Sequence, residues 1–257
     1  AALGLSKGLE GKTFIVQGLG NVGYHAALFM TRGGAKLVGV AEKEGSVYSE
    51  DGIDVEALHA YREENGSILG FPGAVSSTEK YEMLEQACDI LVPAALENQI
   101  HAGNAPRIRA KIIAEAANGP TTQEAHDILK KRGALILPDT YLNAGGVVVS
   151  YFEWLKNLQH VRFGRIAKRF EETATRKMLE AIEKASNTTF TDQERLFLSQ
   201  GAGEYELVIS GLEDTMVNAF HEINAVRRRF DVDMRTAAFI CAIDKVGTIY
   251  EQMGIFP

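Results

Sequence analysis

The tightest limit on the fold is a glycine turn set between an apolar run and a helical one. Thr13 to Gln17 (TFIVQ) is a short apolar stretch that reads as a buried strand. It ends on Gly18-Leu19-Gly20-Asn21-Val22-Gly23, a G-x-G-x-x-G pattern. Val22 to Met30 then carries apolar residues at helical spacing, and Gly33-Gly34 closes the helix. Alone the pattern is weak, because the chain holds 25 glycines. A strand before it and a helix after it make it specific for a dinucleotide phosphate turn. Gly18 permits the tight turn, Gly20 lets backbone amides approach a diphosphate, and Gly23 lets helix and strand pack closely. The anion then rests on the positive helix N-terminus.

Lys36 to Ala41 (KLVGVA) is a second strand, and Glu42 stands at its end, 19 residues past Gly23. An acid there accepts hydrogen bonds from both hydroxyls of the adenosine ribose and repels a 2′-phosphate, which favours NAD over NADP. Lys43 follows directly. A cation at that place can pair with the same phosphate, so NADP use stays open.

The remaining chain alternates in the same way. Gly45 to Gly52 (GSVYSEDG) reads as a loop, and Asp54 as the N-cap of a helix through Glu64. Asp89–Val92, Lys111–Ala114 and Ala134–Leu137 read as strands, with helical stretches around Asn98 to His101 and from Thr121 to Arg132. Short apolar strands alternating with helices imply βαβ units. The expected fold class is therefore α/β: a Rossmann-type doubly wound, mostly parallel sheet with a helical C-terminal extension. That extension comprises helices over 147–158, 170–186, Glu204–Phe230 and Arg235–Met253, with Asn187 to Gly203 polar and irregular. The expected domains are 1–162 for dinucleotide binding, 163–231 for a helical insertion and its following helix, and 232–257 for a last helix.

Charge and composition exclude other classes. A net charge of −7 argues against a nucleic-acid or anionic-membrane partner. Arg227-Arg228-Arg229 reads as a solvated helix end. The two cysteines, Cys88 and Cys241, and six scattered histidines form no metal or disulfide spacing, which points to a reducing compartment and no metal site. No run is long and apolar enough to span a membrane. The opening AALGLSKGLEGK has neither Met nor a charged-then-apolar leader, the pattern of an internal cut.

Several longer stretches resemble the glutamate dehydrogenase family. They are FIVQGLGNVG at 14–23, GSILGFP at 66–72, PAALENQ at 93–99, KIIAEAANGPTT at 111–122, LPDTYLNAGGVVVSYFEWLKN at 137–157 and MRTAAFICAI at 234–243. Leucine, phenylalanine and valine dehydrogenases share the cofactor fold, but YLNAGG followed by VSYFEW resembles the glutamate enzyme. The resemblance implies that Asn21 and Val22 border the pyrophosphate and that Glu42 holds the adenosine ribose. It implies that Ala95 and Gln99 line the path between the two riboses, and that Asn118 and Asn143 bond the nicotinamide ribose or carboxamide. Val147 and Ser150 would reach the bound amino acid. Asparagine amides both donate and accept, which suits a carboxamide, although an Asn-Gly pair is often only a turn.

The implied reaction is reversible oxidative deamination of L-glutamate to 2-oxoglutarate and ammonium, with hydride passing to NAD(P). It needs a low-pKa lysine and an acid, which in the family lie in a Gly- and Lys-rich segment of an N-terminal domain. No such segment occurs here; Lys111 and Lys156 read as surface residues. The expectation is cofactor binding without turnover, with no catalytic residue in this chain. The segment between Arg169 and Ser210 resembles a shortened antenna, expected to serve subunit assembly. Ile209, Asn218 and His221 stand where animal enzymes contact purine nucleotides through histidine and arginine, which argues against inhibition by GTP in that manner. The implied assembly is a homo-hexamer, in a cytoplasm or a mitochondrial matrix. The alternatives are another amino-acid dehydrogenase of the superfamily or a non-catalytic dinucleotide-binding module.

Overall fold

A computed structural model describes residues 3–79, 81–158, 163–186, 188–199 and 203–254. Asn187 and residues 200–202 of the expected irregular segment, and His160, lie outside the described residues. Compactness divides the chain into two units, one from 1–144 with 221–257 and one from 145–220.

The first unit is built on a seven-stranded sheet. Its strands are β1 (Thr13–Gln17), β2 (Lys36–Glu42), β3 (Gly45–Tyr48), β4 (Val75–Ser77), β5 (Ile90–Pro93), β6 (Ile112–Ala114) and β7 (Leu135–Leu137), in the order β4-β3-β2-β1-β5-β6-β7. β2, β1, β5, β6 and β7 run parallel, while β3 and β4 are antiparallel at one edge. Parallel strands are covered on both faces and so read as unbroken apolar runs. Alternation then splits each run between two cores: Phe14 and Val16 enter one, Ile15 the other; Ile90 and Val92 enter one, Leu91 the other.

Helix α1 (Asn21–Arg32) buries Gly23 and Ala27. Helix α2 (Val55–Asn65) starts where the Asp54 carboxylate accepts from the Ala57 amide, and α3 (Gln123–Lys131) where Thr122 accepts from the Ala125 amide. α4 is the single turn Asp139–Leu142, and α9 (Met234–Met253) opens on Asp233, which accepts from the Thr236 amide. The second unit holds α5 (Gly145–Leu158), α6 (Phe163–Ser186) and α7 (Asp192–Ser199), and α8 spans Glu204–Phe230. Arg227, Arg228 and Arg229 form the last turn of α8. Among the described residues, no helix is long and apolar enough to cross a membrane.

Three expectations are corrected. Residues 45–48 are strand rather than loop: Val47 is fully buried and β3 pairs with both β2 and β4. Residues 98–101 form no helix: Asn98 closes a turn and Ile100 makes an isolated parallel bridge to Thr121. Asn98 takes a φ of 55°, its amide donates to Gly119 O, and that of Ile100 donates to Pro120 O. The 187–203 segment contains α7, whose Thr191 hydroxyl accepts from the Glu194 amide while the Glu194 carboxylate accepts from the Thr191 amide. This reciprocal capping box satisfies two otherwise orphaned donors.

Candidate functional site

The strand order reverses direction between β1 and β5, and at that switch point the chain leaves both strands from their carboxyl ends. In open α/β sheets this crevice is where ligands bind. The turn after β1 fills it. Gly18 has a φ of 90°, and a Cβ there would lie 3.0 Å from Ala94 O and 3.0 Å from Ala95 Cβ. Its amide donates to Ala41 O at 2.8 Å. A Cβ on Gly23 would lie 1.7 Å from Gly18 O, so the helix presses directly on the turn. Gly20, by contrast, has nothing within 4 Å of its ideal Cβ position. It is the N-cap of α1 and has no side chain to cap with, so no N-cap side chain occupies the first-turn amides. Asn21 and Val22 are exposed beside it.

Glu42 ends β2 with its side chain 12% exposed. Its Oε1 accepts from the Leu19 amide at 2.6 Å and faces Arg62 Nη2 at 3.5 Å. Arg62 Nη1 donates to Leu19 O at 2.9 Å. Both backbone groups of Leu19 are thus held, and the phosphate turn is fastened to β2 and α2 together. Lys43 is exposed. The sequence does not mark Arg62 for this part, because it sits in the last turn of an amphipathic helix, where a basic residue is expected for the dipole alone.

Across the crevice, Ala95 is exposed and Gln99 Oε1 accepts from Gln17 Nε2 at 2.8 Å. Gln17 Oε1 is buried without a hydrogen-bond partner. The 98–100 segment lies along 119–121, which brings Gln99 beside the loop carrying Asn118. There Asn143 Nδ2 donates to Asn118 Oδ1 at 2.5 Å. That bond leaves the Asn118 amide as a donor and the Asn143 carbonyl as an acceptor, a pair matched to a carboxamide.

Below these asparagines lies an ionic cluster whose Glu115, Asp139 and Arg235 fall in the stretches 111–122, 137–157 and 234–243, although the sequence assigns them no role. Glu115, fully buried after β6, accepts from Arg235 Nη2 through both oxygens at 2.7 and 2.6 Å. Asp139 accepts from Arg235 Nη1 at 2.9 Å. His126 stands 3.5 Å from both Arg235 Nε and Asp233 Oδ2. Asp233 also pairs with Lys130 at 2.8 Å. Burial pushes the Asp233 carboxyl up, but bonds from Lys130 and Thr236 and the charge of His126 outweigh it and hold the group well below the usual range.

Val147 and Ser150 belong to the second unit, on α5. Val147 is 73% exposed, and the Ser150 hydroxyl, also exposed, donates back to Gly146 O at 3.0 Å. Lys111 pairs with Asp89 and Lys156 with Glu204, each about half exposed or more, as surface lysines.

The family model for glutamate/leucine/phenylalanine/valine dehydrogenase matches residues 2–207. A mitochondrial glutamate dehydrogenase of Dictyostelium discoideum is 49% identical over 98% of this chain and 50% of its own length. An NADP-specific glutamate dehydrogenase of Saccharolobus shibatae is 42% identical over 75% of this chain and 44% of its own length. The chain thus spans half or less of these relatives. Among solved structures, a hetero-hexameric glutamate dehydrogenase from Thermus thermophilus superposes with a TM-score of 0.70 at 24% identity, over 99% of this chain and 50% of that one. At that identity the likeness establishes the fold.

Proposed function

The chain belongs to the glutamate/leucine/phenylalanine/valine dehydrogenase family, and from that premise we propose that it is the dinucleotide-binding half of an NAD(P)-linked glutamate dehydrogenase. The carrying observation is the turn at the switch point: Gly23 locked under the Gly18 carbonyl, Gly20 open above it, and Glu42 fastened alongside. The start of α1, uncapped by any side chain of its N-cap, suits a diphosphate. Glu42 uses Oε1 for Leu19 and Arg62; we assign Oε2 to the adenosine ribose hydroxyls. Its charge favours NAD, and Arg62 and Lys43 beside it soften the exclusion of NADP.

When bound, the nicotinamide supplies the hydride acceptor for oxidation of L-glutamate to the imine that water converts to 2-oxoglutarate and ammonium. Asn118 and Asn143 orient the carboxamide and so select one ring face. Ala95 and Gln99 line the path between the riboses, and Val147 and Ser150 meet the amino acid. The lysine that activates water and the acid that moves its protons are assigned to the part of the relatives that this chain does not match. The 257 residues by themselves then bind cofactor without turning over glutamate. We keep 1–162, 163–231 and 232–257 as the functional division, with the antenna-like piece serving subunit assembly in a homo-hexamer. Cytoplasmic location is proposed, with a mitochondrial matrix the alternative suggested by the Dictyostelium relative's name.

Titration of the chain against NADH fluorescence tests this. Binding is expected in the wild type and lost in Gly20→Val, whose side chain meets no protein atom at its root but occupies the anion's place. Undiminished NADH binding by a folded Gly20→Val protein would sink the assignment.

A further inference from the structure

We infer that Arg235, on α9, is a positioning residue for the nicotinamide end of the site, acting through Glu115 and Asp139. This deepens the dinucleotide reading and rests on it. Three chain segments meet at the guanidinium. Its fork takes both oxygens of Glu115, at 2.6 and 2.7 Å, and reaches Asp139 at 2.9 Å. The side chains of Arg235, Glu115 and Asp139 are 17%, 0% and 16% exposed. Each carboxylate also holds backbone. Glu115 Oε2 accepts from the Asp139 amide at 3.0 Å, and Asp139 Oδ2 accepts from the Gly119 amide at 2.8 Å.

These bonds bracket both asparagines. Gly119 adjoins Asn118, and Asp139 O accepts from the Asn143 amide at 3.2 Å. Glu115 and Asp139 therefore open the two loops, after β6 and β7, whose tips meet as the Asn118–Asn143 pair. One guanidinium ties the two loop bases together. A buried ion pair with an apolar alternative is weak evidence for stability. Its planar fork, however, fixes the relative position of two carboxylates in a way a single ammonium cannot. A displacement of either loop by a few tenths of an ångström is felt at the carboxamide, while the phosphate turn, held by Glu42 and Arg62, is untouched.

ADP-ribose, which keeps the adenosine and diphosphate but lacks the nicotinamide, separates these two ends. The affinities of wild type, Arg235→Lys and Asp139→Asn for NADH and for ADP-ribose are measured by fluorescence and calorimetry on the full chain. The wild type is expected to prefer NADH. Arg235→Lys is expected to keep its ADP-ribose affinity and to lose about tenfold of that preference, the scale of one charge-assisted hydrogen bond. It is also expected to lose the fluorescence enhancement of the bound reduced ring. Asp139→Asn, which keeps the Glu115–Arg235 pair, shows the same selective loss and serves if Arg235→Lys does not fold. An unchanged preference, or a parallel fall in both affinities, overturns the inference. A wild type that binds neither compound overturns the dinucleotide reading itself.

Discussion

Replacing Gly23 by alanine isolates the contact on which the phosphate turn is built. The new Cβ would lie 1.7 Å from Gly18 O, 2.8 Å from Gly18 C and 3.2 Å from Val16 Cγ1. An ordinary carbon–oxygen contact needs about 3.3 Å, so roughly 1.6 Å must be found. The obstacle is backbone, not a side chain that can swing away. Gly18 is itself held by its amide bond to Ala41 O and crowded against Ala94 and Ala95. Either α1 lifts from β1 or the turn releases Ala41 and Glu42. Overpacking of core sites costs about 1–3 kcal/mol, and a backbone obstacle places this one at about 3 kcal/mol. For a chain of this size that lowers the midpoint of thermal unfolding by about 6–12 °C. Calorimetry or denaturant unfolding reads the change directly. Gly20→Ala is the control, because open space surrounds that position; only the weaker N-cap preference of alanine acts, within about 1 kcal/mol. A Gly23→Ala protein that unfolds at the wild-type midpoint would refute the packing argument.

Two further outcomes follow from groups outside the turn. Asp233→Asn keeps a good N-cap but removes the charge facing Lys130 and His126, and is expected to cost about 1 kcal/mol at neutral pH. Because the folded Asp233 carboxyl is held below its usual value, its contribution is fully present above the unfolded value. It is lost as the pH falls, so the gap between wild type and Asp233→Asn should close in denaturant titrations below about pH 4; a gap constant down to about pH 3 contradicts it. Burial, with the charge of Asp89, pushes the Cys88 thiol up to about 12. Cys241 is only half-buried. A maleimide at about pH 8 should therefore modify Cys241 in the folded chain and reach Cys88 only on unfolding, as peptide mapping will show; equal rates would contradict the burial of Cys88.

Local chemistry accounts for the parts of the fold that are legible in the sequence. β1, the glycine turn and α1 are legible because an apolar run, a glycine triplet and a helical period follow one another within 20 residues of sequence. The caps at Asp54 and Thr122 are equally local. The departures share a cause. GSVYSEDG carries turn residues, yet pairing with β2 and β4 and burial of Val47 make its first half a strand. Asn98 to His101 reads as helical, yet a turn at Asn98 and backbone bonds to 119–120 hold it along the neighbouring loop instead. For α7 the signal is present as Thr191 and Glu194 at capping-box spacing, and the polarity of the segment masks it.

Periodicity and glycine placement, then, are enough to specify the strand–turn–helix unit and the doubly covered sheet, because a residue's backbone freedom and its neighbours along the chain are written in order. The partners of the charged groups are not. Arg235 meets Glu115 across 120 positions, and Arg62 reaches Leu19 across 43. A lone arginine in a helix carries no mark of whether it ends in water or on a buried carboxylate. Only the folded backbone, by removing water from one side and bringing Glu115 to the other, selects which charge it must neutralise.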